Sequence, residues 1–125
     1  MIRRLRGEIV ATGDDHVVLE VGGVGYRVFV PTPPAVVLAE EIVLHVSTQV
    51  REDAFLLYGF PSAADRDTFE ILLEVPGVGA RTALAVLATL SRRELAAAVA
   101  RQDVAALKRV PGVGARTAQR LVVDL

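Results

Sequence analysis

Two hydrophobic periods divide this chain. Up to about residue 60 the apolar positions fall in short β-branched or aromatic runs: Ile2–Ala11, His16–Val21, Gly25–Val30, Ile42–Val50 and Phe55–Phe60. Turn formers bound them, among them Gly13-Asp14-Asp15, Gly22-Gly23 and Pro31-Thr32-Pro33-Pro34, as strands are bounded. Gly22-Gly23 predicts a tight hairpin, which Val24-Gly25 could lengthen. Five short strands suit a small closed barrel of the OB-fold type, because closure leaves no bare edge. A two-sheet sandwich is the alternative.

From Pro61 the period becomes helical. Ser62 opens a capping-box-like Ser-x-x-Asp, and Asp65–Glu74 carries Phe69, Leu72 and Leu73 on one face. Thr82–Leu90 predicts a second helix. Ser91-Arg92-Arg93-Glu94 is a capping box for a third that runs to about Arg101. Asp103 caps a short fourth helix through Lys108, and a fifth opens near Ala115 and is expected to be still running at Leu125. The chain thus reads as α+β in two domains, a five-stranded barrel over residues 1–61 and an all-α domain over 62–125.

Inside the helical half, nine letters occur twice. Val75-Pro76-Gly77-Val78-Gly79-Ala80-Arg81-Thr82-Ala83 returns as Val110 to Ala118, 35 positions later. In each copy an apolar helix ends at valine, proline and two glycines forbid its continuation, and a new helix begins. The free N–H groups of such a turn and of the helix it opens form a hollow for an anion. Arg81 and Arg116 stand in the first turn of that helix, in reach of the same anion. Helix, Gly-x-Gly turn and helix make a helix–hairpin–helix motif, whose usual anion is a nucleic-acid phosphate. Ordinary αα-hairpins with tight turns are the bland alternative; an identical second copy, arginine included, weighs against it. Two copies also suit a duplex, one for each strand, with contacts that position without reading sequence.

Charge fits this only in part. The chain is net −1, unusual for a nucleic-acid binder. Residues 1–60 are net −3 and residues 61–125 net +2, so the basic excess falls on the half that carries the repeats. Weak isolated contacts of ~10⁻⁴–10⁻⁶ M would need several copies acting together, and an oligomer is expected on that ground. A hydrophobic share of 52% predicts a packed globule rather than a disordered chain. With no cysteine, disulfides and thiolate metal sites are excluded, which suits the cytoplasm. Arg3, Arg4 and Arg6 interrupt any signal-like start, and no apolar run approaches a membrane span.

Other candidates are weaker. Arg51-Glu52-Asp53 interrupts an apolar stretch between two predicted strands and reads first as a solvated hairpin tip. Near DNA, adjacent carboxylates would repel phosphates and hold strands apart; in a nuclease they would bind Mg²⁺, but no acidic partners lie nearby. Asp14-Asp15 reads as a turn pair. Gly22-Gly23-Val24-Gly25 lacks the helix of a dinucleotide loop and the Gly-Lys-Ser/Thr of a P-loop. His16 and His45 have no ligand-spaced partner and read as strand residues. Tyr26, Phe29, Phe55 and Tyr58 are either core or a base-stacking platform. No nucleophile–base pair, metal set or cofactor motif is present.

In order along the chain, Met1-Ile2-x-x-Leu5-Arg6-Gly7, Val21-Gly22-Gly23-Val24-Gly25-Tyr26, Val50-Arg51-Glu52-Asp53-Ala54 and Leu57-Tyr58-Gly59-Phe60, followed by the two Gly-Val-Gly hairpins, resemble the RuvA family. Its members are bacterial proteins that bind Holliday junctions and partner the branch-migration motor RuvB. The resemblance implies an OB-fold barrel, a helical domain with tandem helix–hairpin–helix motifs, and a four-fold tetramer, one or two per junction. It implies a cytoplasmic, non-catalytic DNA-binding subunit of recombination and repair, with no cofactor, metal or membrane partner. By it, duplex-arm contacts fall on Gly77, Val78, Gly79, Arg81 and Thr82 and on Gly112, Val113, Gly114, Arg116 and Thr117. Where many relatives carry lysine, Arg81 and Arg116 keep the charge and add a fork for phosphate oxygens. Glu52 and Asp53 match an acidic pin at the junction centre. RuvA relatives continue into a linker and a small domain that contacts RuvB. A chain stopping at Leu125 is therefore expected to bind junctions but couple poorly to the motor.

Two other classes stay open on the residues alone. One is a repair glycosylase or nuclease that uses the hairpins for grip, and the other is a single-strand-binding OB module.

Overall fold

Strand pairing closes the N-terminal part of the chain on itself. In the computed structural model, which describes residues 1–32 and 40–125, five strands form: β1 (Arg4–Thr12), β2 (His16–Val21), β3 (Val24–Phe29), β4 (Glu41–Val50) and β5 (Phe55–Phe60). Their inward positions Ile9, Val17, Leu19, Val28, Leu44, Val46 and Leu57 make one buried core with Val30. The order β1-β2-β3-β5-β4 is a closed barrel, β1 pairing back on β4 from Arg4↔His45 to Glu8↔Glu41. Closure decides for the OB-type barrel over the sandwich. Among the described residues only β3 with β5 is parallel, through Val28↔Leu57 and Phe29↔Tyr58.

Local chemistry moves the predicted strand ends. The Ile2 carbonyl accepts from Thr48 Oγ1 at 2.7 Å instead of joining a ladder, and β1 begins at Arg4. Val24 pairs with Val21, so the Gly22-Gly23 turn has two residues, both at positive φ, and β3 starts one residue before Gly25. Pro33 and Pro34 of the expected proline-rich turn lie outside the described residues. Backbones approach closely at Gly7: a Cβ there would fall on the Glu20 carbonyl oxygen and 2.9 Å from Val21 Cγ2.

The chain divides into two compact units, Met1–Arg66 and Asp67–Leu125. Five helices follow the barrel strands: α1 (Ala63–Leu73), α2 (Ala80–Thr89), α3 (Arg92–Ala100), α4 (Val104–Lys108) and α5 (Ala115–Asp124). Three of their N-terminal caps are those the sequence predicts. Ser62 Oγ accepts from the Asp65 N–H at 3.1 Å, and Asp103 Oδ1 accepts from that of Ala106 at 3.0 Å. At α3, Ser91 Oγ accepts from the Glu94 N–H while the Ser91 N–H donates to Glu94 Oε1, a complete capping box. Those bonds, the backbone one foremost, hold the Glu94 carboxyl below its ordinary value. Among the described residues no helix is long and apolar enough to cross a membrane.

The 35-residue repeat reaches into the helical core. Leu72, Val75, Val78, Ala83 and Val86 are buried, and so are their counterparts Leu107, Val110, Val113, Ala118 and Leu121. The two hairpins are therefore built on the same apolar frame, not merely on the same turn letters.

Candidate nucleic-acid interface

The two Gly-Val-Gly turns have the same internal geometry. Val78 N–H donates to the Val75 carbonyl at 3.0 Å, and Val113 N–H donates to that of Val110 at 3.0 Å. Gly77 lies at φ 86° and Gly112 at φ 87°, left-handed backbone that a side chain adopts only at a cost. The second glycine of each pair differs. Gly79 (φ −93°, ψ −179°) and Gly114 (φ −93°, ψ −173°) are extended N-caps of α2 and α5, and no side chain caps either helix.

That contrast separates two reasons for glycine. Gly77 and Gly112 answer to the backbone of the turn. At Gly79 and Gly114 the backbone asks for nothing special, and an added Cβ would meet no atom within 4 Å. An N-cap favours Ser, Thr, Asp or Asn. Neither strain nor crowding inside the chain accounts for glycine here; close approach of something from outside would.

Donors converge on this spot. The first N–H groups of any α-helix have no acceptor within it, and the helix dipole makes that end electropositive. With no side-chain cap, the first turns of α2 and α5 present those groups to whatever approaches. Arg81 and Arg116 are exposed in the first turns, and Thr82 and Thr117, next along, are half-buried. Val78 and Val113 are only 6% exposed, so their side chains belong to the core and their N–H groups to the turn. They hold the flanking glycines in place within each turn. The two turns are also neighbours: a Cβ on Gly112 would lie 3.9 Å from Thr82 Oγ1, although Gly77 has no such neighbour within 4 Å.

Glu52 and Asp53 occupy the two-residue tip of the β4–β5 hairpin, closed by the Arg51 N–H donating to the Ala54 carbonyl at 2.8 Å. Both side chains are exposed. Among the described residues no group of three or more His, Cys, Asp or Glu is placed to hold a metal. Just below the tip, the last cross-strand pair, Val50 and Phe55, is 59% and 67% exposed, so the carboxylates stand beside exposed apolar side chains.

The barrel aromatics split between the two readings. Tyr58 is buried and packs on Phe29 with ring centroids 5.6 Å apart, and Arg27 lies over the Phe29 ring at 5.2 Å. Phe55 alone of the four is mostly exposed. His16 meets the edge of Phe29, and its Nδ1 lies 2.8 Å from Asp15 Oδ1, a bond that holds the Asp15 carboxyl below its ordinary value. Asp15 thus does more than form a turn: it orients a strand histidine.

Residues 1–59 match the family model described as RuvA N terminal domain, and residues 69–125 match the SAM-like Helix-hairpin-helix tandem. A protein of Symbiobacterium thermophilum, "Holliday junction branch migration complex subunit RuvA", is 50% identical over 128 residues, covering all of this chain and 62% of the relative. Proteins of the same name from Beijerinckia indica and Bartonella quintana are 48% and 44% identical, again over all of this chain and 62% of their own lengths. The chain thus spans a little under two thirds of these relatives. With a closed five-stranded barrel, tandem hairpins and both matches in the same order, the chain belongs to the RuvA family, whose N-terminal and helix–hairpin–helix parts it contains.

Proposed function

We propose that this chain binds four-way (Holliday) DNA junctions as a tetramer, holding them in an open square form through backbone phosphates. It serves as a non-catalytic, cytoplasmic scaffold for branch migration driven by RuvB in recombination and repair. The observation that carries this reading is the matched pair of turns whose second glycines leave open space over uncapped helix N-termini. A phosphate there accepts from the first-turn N–H groups while Arg81 or Arg116 supplies charge and further donors. Gly79 and Gly114 admit the close approach, Gly77 and Gly112 shape the turn, Val78 and Val113 anchor it, and Thr82 and Thr117 complete the first turn. Neither hairpin reads bases, so what is recognised is the disposition of duplex arms.

The acidic tip supplies the complementary half of the mechanism. Four copies of Glu52 and Asp53 around one axis gather eight carboxylates at the crossover. Repulsion there and attraction at the arms favour a junction whose strands stay apart, and such a patterned field operates at near-zero net charge. In an E52Q/D53N variant, junction affinity is expected to hold or rise. Energy transfer between dye-labelled arms should meanwhile shift away from the open square. A collapse of binding would count against the pin.

A further inference from the structure

Identical turns sit in opposite electrostatic surroundings. In residues 67–90, Asp67, Glu70 and Glu74 outnumber Arg81, for a net charge of −2. In the equivalent 102–125, Lys108, Arg109, Arg116 and Arg120 outnumber Asp103 and Asp124, for a net charge of +2. The sharpest contrast is next to the turns. Arg109, the C-cap of α4, occupies the position that Glu74 occupies at the end of α1, each one residue before the turn's first valine. All three of Glu74, Lys108 and Arg109 are exposed.

We propose, resting on the phosphate-gripping reading above, that the hairpins grip unequally. The second anchors one strand of a duplex arm tightly, with Lys108 and Arg109 extending its phosphate contacts. The first, beside the Glu74 carboxylate, holds the other strand loosely. Lys108 and Arg109 lie four and three residues before Gly112. At ~3.8 Å between successive Cα atoms, their Cα atoms are at most about 15 and 11 Å from that of Gly112, close enough for a long side chain to shorten the gap to a strand beside that turn. A strand presents a charge about every 3.4 Å along its axis, so phosphates flanking the one at the turn are the natural partners. Glu74 at the corresponding place repels them.

A purely structural role is available and makes a different prediction. Cations at the end of α4 offset its dipole, and Arg109 also contributes, after the Ser91 hydrogen bonds, to holding the Glu94 carboxyl low. That role would change melting temperature and leave the salt dependence of DNA binding alone.

The test titrates a labelled four-way junction across salt with the parent, K108Q/R109Q, E74Q, R81Q and R116Q chains, each also melted. K108Q/R109Q is expected to bind at least tenfold more weakly, with a shallower salt dependence in keeping with about 0.9 per lost phosphate contact. E74Q is expected to bind several-fold more tightly at low salt. Parental affinity and slope in K108Q/R109Q, or no effect of E74Q, overturn the inequality. R81Q and R116Q keep the two levels apart. If they weaken binding while K108Q/R109Q does not, only the inequality fails; if they too bind like the parent, phosphate gripping itself fails.

Discussion

Serine at both Gly79 and Gly114 is expected to leave the helical unit as stable as before, or slightly more so, and to weaken junction binding by at least about 100-fold, on the order of 2.7 kcal/mol. The stability half follows from the backbone. Both residues have extended φ and ψ that serine adopts freely, and an added Cβ meets nothing within 4 Å. Serine is also the better N-cap, by a few tenths of a kcal/mol over glycine. The binding half follows from the same substitution. The new side chain fills the space a phosphate would enter, and its hydroxyl takes a first-turn N–H that would have bonded a phosphate oxygen. Hydrogen bonds to charged groups are worth roughly 1.5–3 kcal/mol each, so two lost sites suffice for the fall. G77S is the internal contrast: at φ 86° it should lower the melting temperature, because its reason for glycine is conformational. Thermal melts beside junction titrations check both. If G79S/G114S bound junctions like the parent, the open space over the N-caps would have no part in the contact.

The largest expected loss of stability is at Gly7→Ala. Its Cβ would land on the Glu20 carbonyl oxygen and crowd Val21 Cγ2 at 2.9 Å, between two strands that the barrel must keep paired. The obstructing atom is backbone, so no rotamer relieves it and β1 must shift against β2. Overpacking of this kind costs about 1–3 kcal/mol and more where nothing yields. Against a total of about 5–15 kcal/mol, the expected outcome is a fall in melting temperature on the order of 10 °C or an unfolded barrel. A G7A chain melting within a degree or two of the parent would show that β1 does not run this close to β2.

Both substitutions show what a linear reading reaches. The two periods, the domain order, the caps at Ser91 and Asp103 and the repeated hairpins are local patterns, and they were legible as such. Three of the five strand pairings join neighbours through short loops and follow from them: β1 with β2, β2 with β3 and β4 with β5. The parallel β3–β5 contact and the closure of β1 on β4 have no local signature, because they are products of the barrel curling on itself. The start of β1 was missed for a similar reason: Thr48, 46 residues away, takes the Ile2 carbonyl.

At the candidate site the letters Gly-Val-Gly do not tell one glycine from the other. Only φ values do, positive at Gly77 and Gly112 and extended at Gly79 and Gly114. The burial of Val78 and Val113 had a signal, since each lies three residues after the valine at which the preceding apolar helix ends, Val75 or Val110. Phe55 and Tyr58 could not be sorted by alternation, because Leu57, Tyr58 and Phe60 are all buried near the end of β5.

Arm geometry read through phosphates is the centre of the proposed function. The most direct measurement is competition between an unlabelled linear duplex or single strand and a labelled four-way junction of equal length for the purified chain, repeated across salt. A large junction preference is expected, with binding to the junction falling steeply as salt rises. Equal competition by linear duplex at every salt concentration would contradict it, and would leave a generic duplex-binding hairpin module with no use for its acidic tip.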